Sequence, residues 1–365
     1  MKRFQIIGIA IGITMTFAFM GCKHDVASSG NPSGQTQNQT SEEIQYEELP
    51  EGTGGTAGTS SKYVYFGEWP QTIKATDVDL TPECKDVGMF KYWKGSDGFW
   101  YVNIRENAYH SGYKYSNGTD VGRYGVDDST GSYRSRYFKV EPIKWRVLTN
   151  NYNGKKLLLA EDILINFMFY DYSNVDREGS ISPNNYKESR IRAWLNGLSY
   201  NEKPSDSENQ AVNNEFMDKG FLQTAFTEAQ RSAIMETTVS NNARSTNPNA
   251  IPLLWESGEN SYVCDDTTDK IFLLSEQEVT NYEYYFAAHN QGGDVSARIR
   301  KTTDFAKAHG AYQVSSSGEC RWWLRSPCPS SQSHAYIVRE TGEADYPAAV
   351  DFASYGVCPA LCLKN

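Results

Sequence analysis

Two apolar blocks near the end of the chain leave it little conformational freedom. The first is Cys320-Arg321-Trp322-Trp323-Leu324-Arg325-Ser326-Pro327, and the second is Gly356-Val357-Cys358-Pro359-Ala360-Leu361-Cys362-Leu363. Between them lies a run of small and polar residues holding one clear strand, Ala335 to Arg339, and one turn, Glu340 to Glu343. A Trp buries a large area and needs a partner for its N–H, so tandem Trp residues read as core. The blocks therefore form a frame, and the run between them forms loops carried on it. Recognition is usually placed on such loops, which makes Ser330, Ser331, Gln332, His334, Tyr346, Phe352 and Tyr355 candidate ligand-binding residues. Tyr and Phe supply contact area at small entropic cost, while Ser and Gln adapt their hydrogen bonds. The competing reading packs Tyr346 and Phe352 beneath the loop.

The blocks Trp322-Trp323-Leu324-Arg325-Ser326-Pro327 and Gly356-Val357-x-Pro359-Ala360-Leu361 resemble a bacterial domain family of unknown function, often extracellular, with a WWLRSPG…GVRPAL signature. Upstream, Phe66-Gly67-Glu68-Trp69-Pro70-Gln71, Pro142 to Leu148, Ser189 to Asn196 and Phe272 to Ser275 fit the same family. The resemblance runs in order from about Phe66 to Leu363 and implies architecture more than activity. Cys328 stands where the signature has Gly, and Cys358 where it has Arg. These departures suggest a Cys328–Cys358 disulfide, with Cys320 and Cys362 as competing partners and free buried thiols as the alternative. Closing a loop of about 30 residues would stabilise the fold by roughly 3–4 kcal/mol in the chain-entropy view.

At the other end, Lys2 and Arg3 precede an apolar run from Ile6 to Met20 that stops at Gly21-Cys22. This reads as a lipoprotein signal peptide over residues 1–21, with Cys22 lipid-modified at the new N-terminus. A membrane span is the competing reading, but the run is shorter than the roughly 20 apolar residues a span needs. Residues 22–62 are rich in Ser, Gly, Thr, Gln and Asn and read as a flexible tether with a reach of roughly 35 Å. The glycine-rich Gly52 to Ala57 has no strand before it and no helix after it, so it is not a dinucleotide site.

Residues 63–365 are enough for one large domain. Loss of Lys2 and Arg3 with the signal moves the formal charge from −10 to −12. An acidic chain without basic clusters argues against nucleic acid and against an anionic bilayer surface. Its 24 Tyr, alongside many Asn, Ser and Gly, resemble the composition of recognition surfaces.

Along the chain, Tyr63 to Phe66, Phe99 to Val102 and Ile143 to Leu148 read as strands. Asn153-Gly154 turns the last of these into Lys156 to Leu159. Tyr109 to Tyr137 lacks periodicity and reads as a surface insertion. A helical middle follows. Ser182-Pro183 opens a helix with Ile191, Trp194 and Leu195 on one face, ended by Asn196-Gly197. Capping boxes begin at Thr227 and Ser275, and a helix from Thr303 to His309 stops at Gly310. The expectation is an α+β fold, antiparallel hairpins flanking a helical middle, an order that resembles the C-type-lectin-like fold. Phe272 to Asn281 is similar to an element of the formylglycine-generating enzymes, which share that fold; their reactive Cys residues have no counterpart here.

Five His occur singly, without H-E-x-x-H spacing, and neither a G-x-S-x-G elbow nor a Walker loop is present. The sequence thus points to no catalytic residue, metal or cofactor; Glu343, Asp345 and Asp351 are too scattered to read as a calcium set. Arg190 and Arg192 offer an anion clamp or ordinary ion pairs. Two functions remain. One is a lipoprotein anchored on the exported side of a bacterial membrane that presents a ligand-binding, lectin-like and sequence-diversified domain to a protein or glycan. The other is an exported enzyme whose site carries no recognised motif. Replacement of Cys22 by Ser should abolish fatty-acid labelling and release the protein from the membrane fraction; labelled, membrane-bound C22S protein would disprove the anchor.

Overall fold

A computed structural model of the chain describes residues 45–48, 62–123, 134–171, 181–202, 211–242, 262–287, 295–314, 317–344 and 346–365. The signal stretch, Cys22 and most of the tether lie outside the described residues. Among those described, no helix is long and apolar enough to cross a membrane.

The backbone is organised by two sheets. In the nine-stranded sheet, Ser135–Tyr152 is the long central strand. Its buried positions are Phe138 and Val140, then Ile143, Trp145 and Val147, then Leu148 and Tyr152, so the two-residue period slips at Glu141-Pro142 and again after Val147. Lys62–Ile73 pairs with it on one side and carries an extra residue around Phe66-Gly67. Gly67 takes φ +71° there, and a Cβ would meet Phe226 at 2.4 Å, so the bulge requires glycine. On the path through the same sheet, Trp100–Arg105, Phe90–Gly95 and Leu80–Val87 follow one after another to one edge. Towards the other edge come Lys155–Ala160, the C-terminal Ala360–Leu363 and Ile271–Phe272. Gln45–Glu48, inside the stretch read as tether, pairs with Lys62–Ile73.

The five-stranded sheet runs Tyr346–Ala349, His334–Val338, Trp322–Pro327, Gly356–Val357 and Ile165–Asn166. Trp322 and Trp323 are fully buried, as their role in the frame requires, and donate to the carbonyls of Arg298 (3.1 Å) and Phe167 (2.7 Å). Each Trp buries about 150–250 Å², roughly 4–6 kcal/mol of gross transfer energy. That gain would shrink if the indole N–H were left without a partner.

The expected helical middle is corrected by the structure, which is mostly strand. Among the described residues the longest helix, Arg190–Asn196, has seven residues, against 18 for the central strand. Its N-cap is Ser189 rather than Ser182, and Gly197 ends it in the left-handed region at φ 68°. The capping boxes at Thr227 and Ser275 both form, but they open helices of six and four residues. Such short pieces do not persist by propensity alone and are held by packing. The α+β class and the lectin-like arrangement are therefore set aside. The first and last strands of the domain do share a sheet, but they are not neighbours in it. The insertion after Tyr109 is also less superficial than its composition suggests. Tyr113 and Tyr115 are buried, and their hydroxyls donate to the Gln313 carbonyl (2.8 Å) and to Glu106 (2.5 Å).

One buried network ties the two sheets together. Arg325, 1% exposed, spreads its guanidinium over Glu278 (2.5 and 3.0 Å), the Leu273 carbonyl (2.7 Å) and the Ser240 carbonyl (3.1 and 3.3 Å). Glu278 also closes the Ser275 capping box and accepts from the Tyr152 hydroxyl at 2.6 Å. Burial alone would raise the Glu278 carboxyl, but Arg325 outweighs it and holds the group below its ordinary range. Arg325→Met should therefore cost about 3–5 kcal/mol in denaturant unfolding, because it strands a buried carboxylate. Adding Glu278→Leu should restore part of the loss. A carboxyl with a lowered folded pKa stabilises above its unfolded pKa of about 4.5, and that contribution is lost as pH falls through the folded value. Wild-type stability should fall accordingly below pH about 4.5, with a shallower fall in the double variant.

Candidate functional site

The residues expected to form one outward face are divided by the structure among three places. Ser330 is exposed, and Ser331, Gln332 and His334 are half-buried. Their turn is fastened from behind by Asn184, whose amide donates to the Ser331 and His334 carbonyls, each at 2.9 Å. The His334 Nδ1 lies 2.8 Å from the Ser331 hydroxyl and 3.0 Å from that of Ser333. Tyr346 is exposed and stands near Arg339 and Arg321, at 5.0 and 5.8 Å from ring centre to guanidinium carbon. Phe352 is half-buried and packs on Tyr355 at 4.6 Å. Tyr355 does not face outward. It is 8% exposed because its ring covers Trp323 edge-on at 5.1 Å.

The structure does not join Cys328 to Cys358; both are buried free thiols. The Cys328 sulfur lies 3.2 Å from the Ser330 hydroxyl, whereas the Cys358 thiol donates to the Ala160 carbonyl at 3.1 Å. Each sulfur is committed to its own surroundings. Burial pushes the Cys358 thiol up to about 12, so it remains unreactive.

The segment between Phe352 and Tyr355 leads to the site itself. Ala353 and Ser354 border a cavity of about 590 Å³ that is also walled by Asn107 to His110, Asn166 to Met168, Arg190 and His309-Gly310. Each wall has a local cause. The Asp304–His309 helix begins at Thr303, whose hydroxyl accepts from the Ala306 N–H at 3.1 Å, and ends at Gly310 with φ 117°. A Cβ on Gly310 would meet the Asn107 carbonyl at 3.0 Å, so the close approach of these two walls favours glycine. The Asn107 N–H donates to the Ala308 carbonyl at 2.7 Å and fixes the adjacent segment. Asn166 is placed by its strand, which pairs with Gly356–Val357.

Hydrogen-bond logic sets the state of His309. The Asn166 Nδ2 donates to the Ala353 carbonyl at 2.8 Å, which leaves Oδ1 as the atom 2.8 Å from His309 Nδ1. An amide oxygen only accepts, so Nδ1 carries the proton and Nε2 keeps its lone pair. The ring lies over Phe305, at 5.9 Å between centres and 26° between planes. Burial pushes the His309 pKa down to about 4, although the ring keeps partial exposure because it borders the cavity. His309 thus offers a neutral acceptor, or a weak base, and Nε2 has no hydrogen-bond partner among the described residues.

Arg190 does not act as a free anion clamp. It pairs with Asp171 at 2.6 Å and Glu215 at 2.7 Å, and its guanidinium stacks near Phe167 and Phe216. Arg192 is equally occupied, by Asp269 at 2.8 Å. An aromatic group borders the other side: Tyr109 meets His110, Tyr312 and Phe352 edge-on at 4.5, 5.4 and 6.1 Å. Among the described residues, no three His, Cys, Asp or Glu side chains gather to hold a metal ion. The arrangement provides one acceptor, amide groups and aromatic surface. Sequence reasoning missed Asn166 and His309 as partners because 143 residues separate them; the only local sign was a His ending a helix before glycine.

Residues 153–365 match the model of a family described as a domain of unknown function (DUF6273). Neither a curated protein nor a solved structure matches the chain.

His309 should stand apart from the other His residues in an NMR titration, protonated on Nδ1 at neutral pH and titrating near pH 4. Its folded pKa lies below the ordinary 6.5, so the unfolded chain binds more protons between those values. The linked stability is complete above pH about 6.5 and falls by up to roughly 3 kcal/mol as pH drops to about 4. A His309 resonance titrating near 6.5 would show a solvated ring.

Proposed function

We propose that this chain, which belongs to the DUF6273 family through residues 153–365, is a lipid-anchored surface protein that captures a small polar ligand in the cavity beside His309. The observation that carries this reading is the His309 Nε2 lone pair held against the cavity by Asn166. An acceptor at the cavity wall without a protein partner takes its donor from whatever fills the cavity. A volume of about 590 Å³ falls within the range of small-molecule sites, roughly 300–1,000 Å³. Asn166, Arg190, His309 and Ala353 all belong to the matched stretch, while Asn107 to His110 and Arg123 precede it.

The exported address rests on the residues of the signal stretch, on Cys22 and on the resemblance of the Trp322–Pro327 and Gly356–Leu361 blocks to a family that is often extracellular. The catalytic alternative is weaker. The cavity wall holds a base, but the described residues place no convergent acid and activated nucleophile beside it. Ala353 is exposed at the cavity wall, so Ala353→Trp should fill the space without disturbing the core. Cells displaying wild-type protein should retain ligand from a small-molecule library by affinity selection, and A353W cells should lose it at unchanged melting temperature. Retention of every ligand by A353W would place binding elsewhere.

A further inference from the structure

We infer that the cavity takes a neutral hydroxylated ring, a single sugar unit, seated with one hydroxyl donating to His309 Nε2. The inference rests on the cavity being the binding site and names the chemistry it selects.

Three features of the wall converge on that class. The first is the acceptor. With Nδ1 engaged by Asn166 Oδ1 at 2.8 Å, Nε2 can only accept, and a ligand must bring a donor to it. A purely apolar ligand would leave that lone pair unsatisfied. The second is the balance of charge. Arg190 is matched by both Asp171 and Glu215, so an anion gains no free guanidinium there and would have to compete with two carboxylates already in place. Arg123, the other cation on the wall, is exposed at the rim, where solvent screens it. The third is the aromatic surface. Tyr109 and Phe167 both border the space; Phe167 is already stacked on Trp194, at 4.8 Å and 20°, with the Arg190 guanidinium over its ring at 5.1 Å, so it offers its edge. Aromatic surface of this kind suits the C–H groups of a pyranose ring. The exposed Asn107 side chain adds an amide that donates and accepts, which matches a hydroxyl in either role.

The same chemistry has two sources, a free monosaccharide or the terminal unit of a larger glycan. Full-length protein in detergent would be tested against methyl glycosides by calorimetry and against a glycan array. Acetate, inorganic phosphate and an apolar fluorophore serve as probes of the other classes. At least one glycoside or array glycan should bind wild type and not A353W. Its affinity should drop about ten-fold or more in His309→Leu, which removes the acceptor, and recover in part in His309→Gln, which restores an oxygen. Array binding competed fully by the matching methyl glycoside identifies free-sugar capture, and array binding that resists it identifies a glycan end; either supports the inference. Probes that bind only as anions or apolar molecules, yet remain sensitive to A353W, overturn the sugar assignment and leave the cavity as the site. Binding unaffected by A353W overturns both. If His309→Leu fails to fold, unchanged affinity in folded His309→Phe overturns the role of the acceptor.

Discussion

The contact between Arg325 and Glu278 is the constraint on which the rest of the structure depends. Arg325 lies in the strand at the centre of the five-stranded sheet, and Tyr152, bonded to the same carboxylate, ends the central strand of the nine-stranded sheet. A buried ion pair is weak evidence of net stability, since desolvation offsets much of the attraction. Its value lies in geometry. The carboxylate receives a forked guanidinium, a phenol and the Ser275 N–H, which fit together in one relative placement of strand, hairpin and helix. The polar residue inside the Trp322-Trp323-Leu324-Arg325 block thus fixes the register in which the two tryptophans are buried.

From that register the cavity follows. Trp323 donates to the Phe167 carbonyl, which holds the segment next to Asn166. The Gly356 end of the neighbouring strand pairs with Asn166, and Asn166 in turn grips both Ala353 and His309. Four stretches distant in the sequence therefore meet through a short relay of backbone pairing and side-chain bonds. The wall is preorganised, so a ligand would not have to order it at the moment of binding.

Local chemistry was legible where its partners lie close in the sequence. Asn153-Gly154 makes the hairpin, with both residues at positive φ. Thr227 and Ser275 form their capping boxes, and Gly310 stops the helix that bears His309. The extent of the helices was not legible, because caps mark where a helix begins and packing decides how far it goes. Tyr355 and Phe352 looked like loop aromatics by position. Tyr355 became a buried cover for Trp323, a contact that depends on how the strand after the loop returns.

The sequence by itself determined the apolar frame, the turns and caps, the acidic balance and, over residues 153–365, the match to the DUF6273 family. These follow from side-chain type and spacing over a few residues, where backbone geometry is nearly fixed. Only the tertiary structure decided the pairing of sheets, the thiol state of Cys328 and Cys358, and the meeting of Asn166 with His309. The reason is physical. A thiol's nearest neighbour and an imidazole's tautomer are set by atoms a few ångströms away in space, and those atoms belong to residues separated by much of the chain.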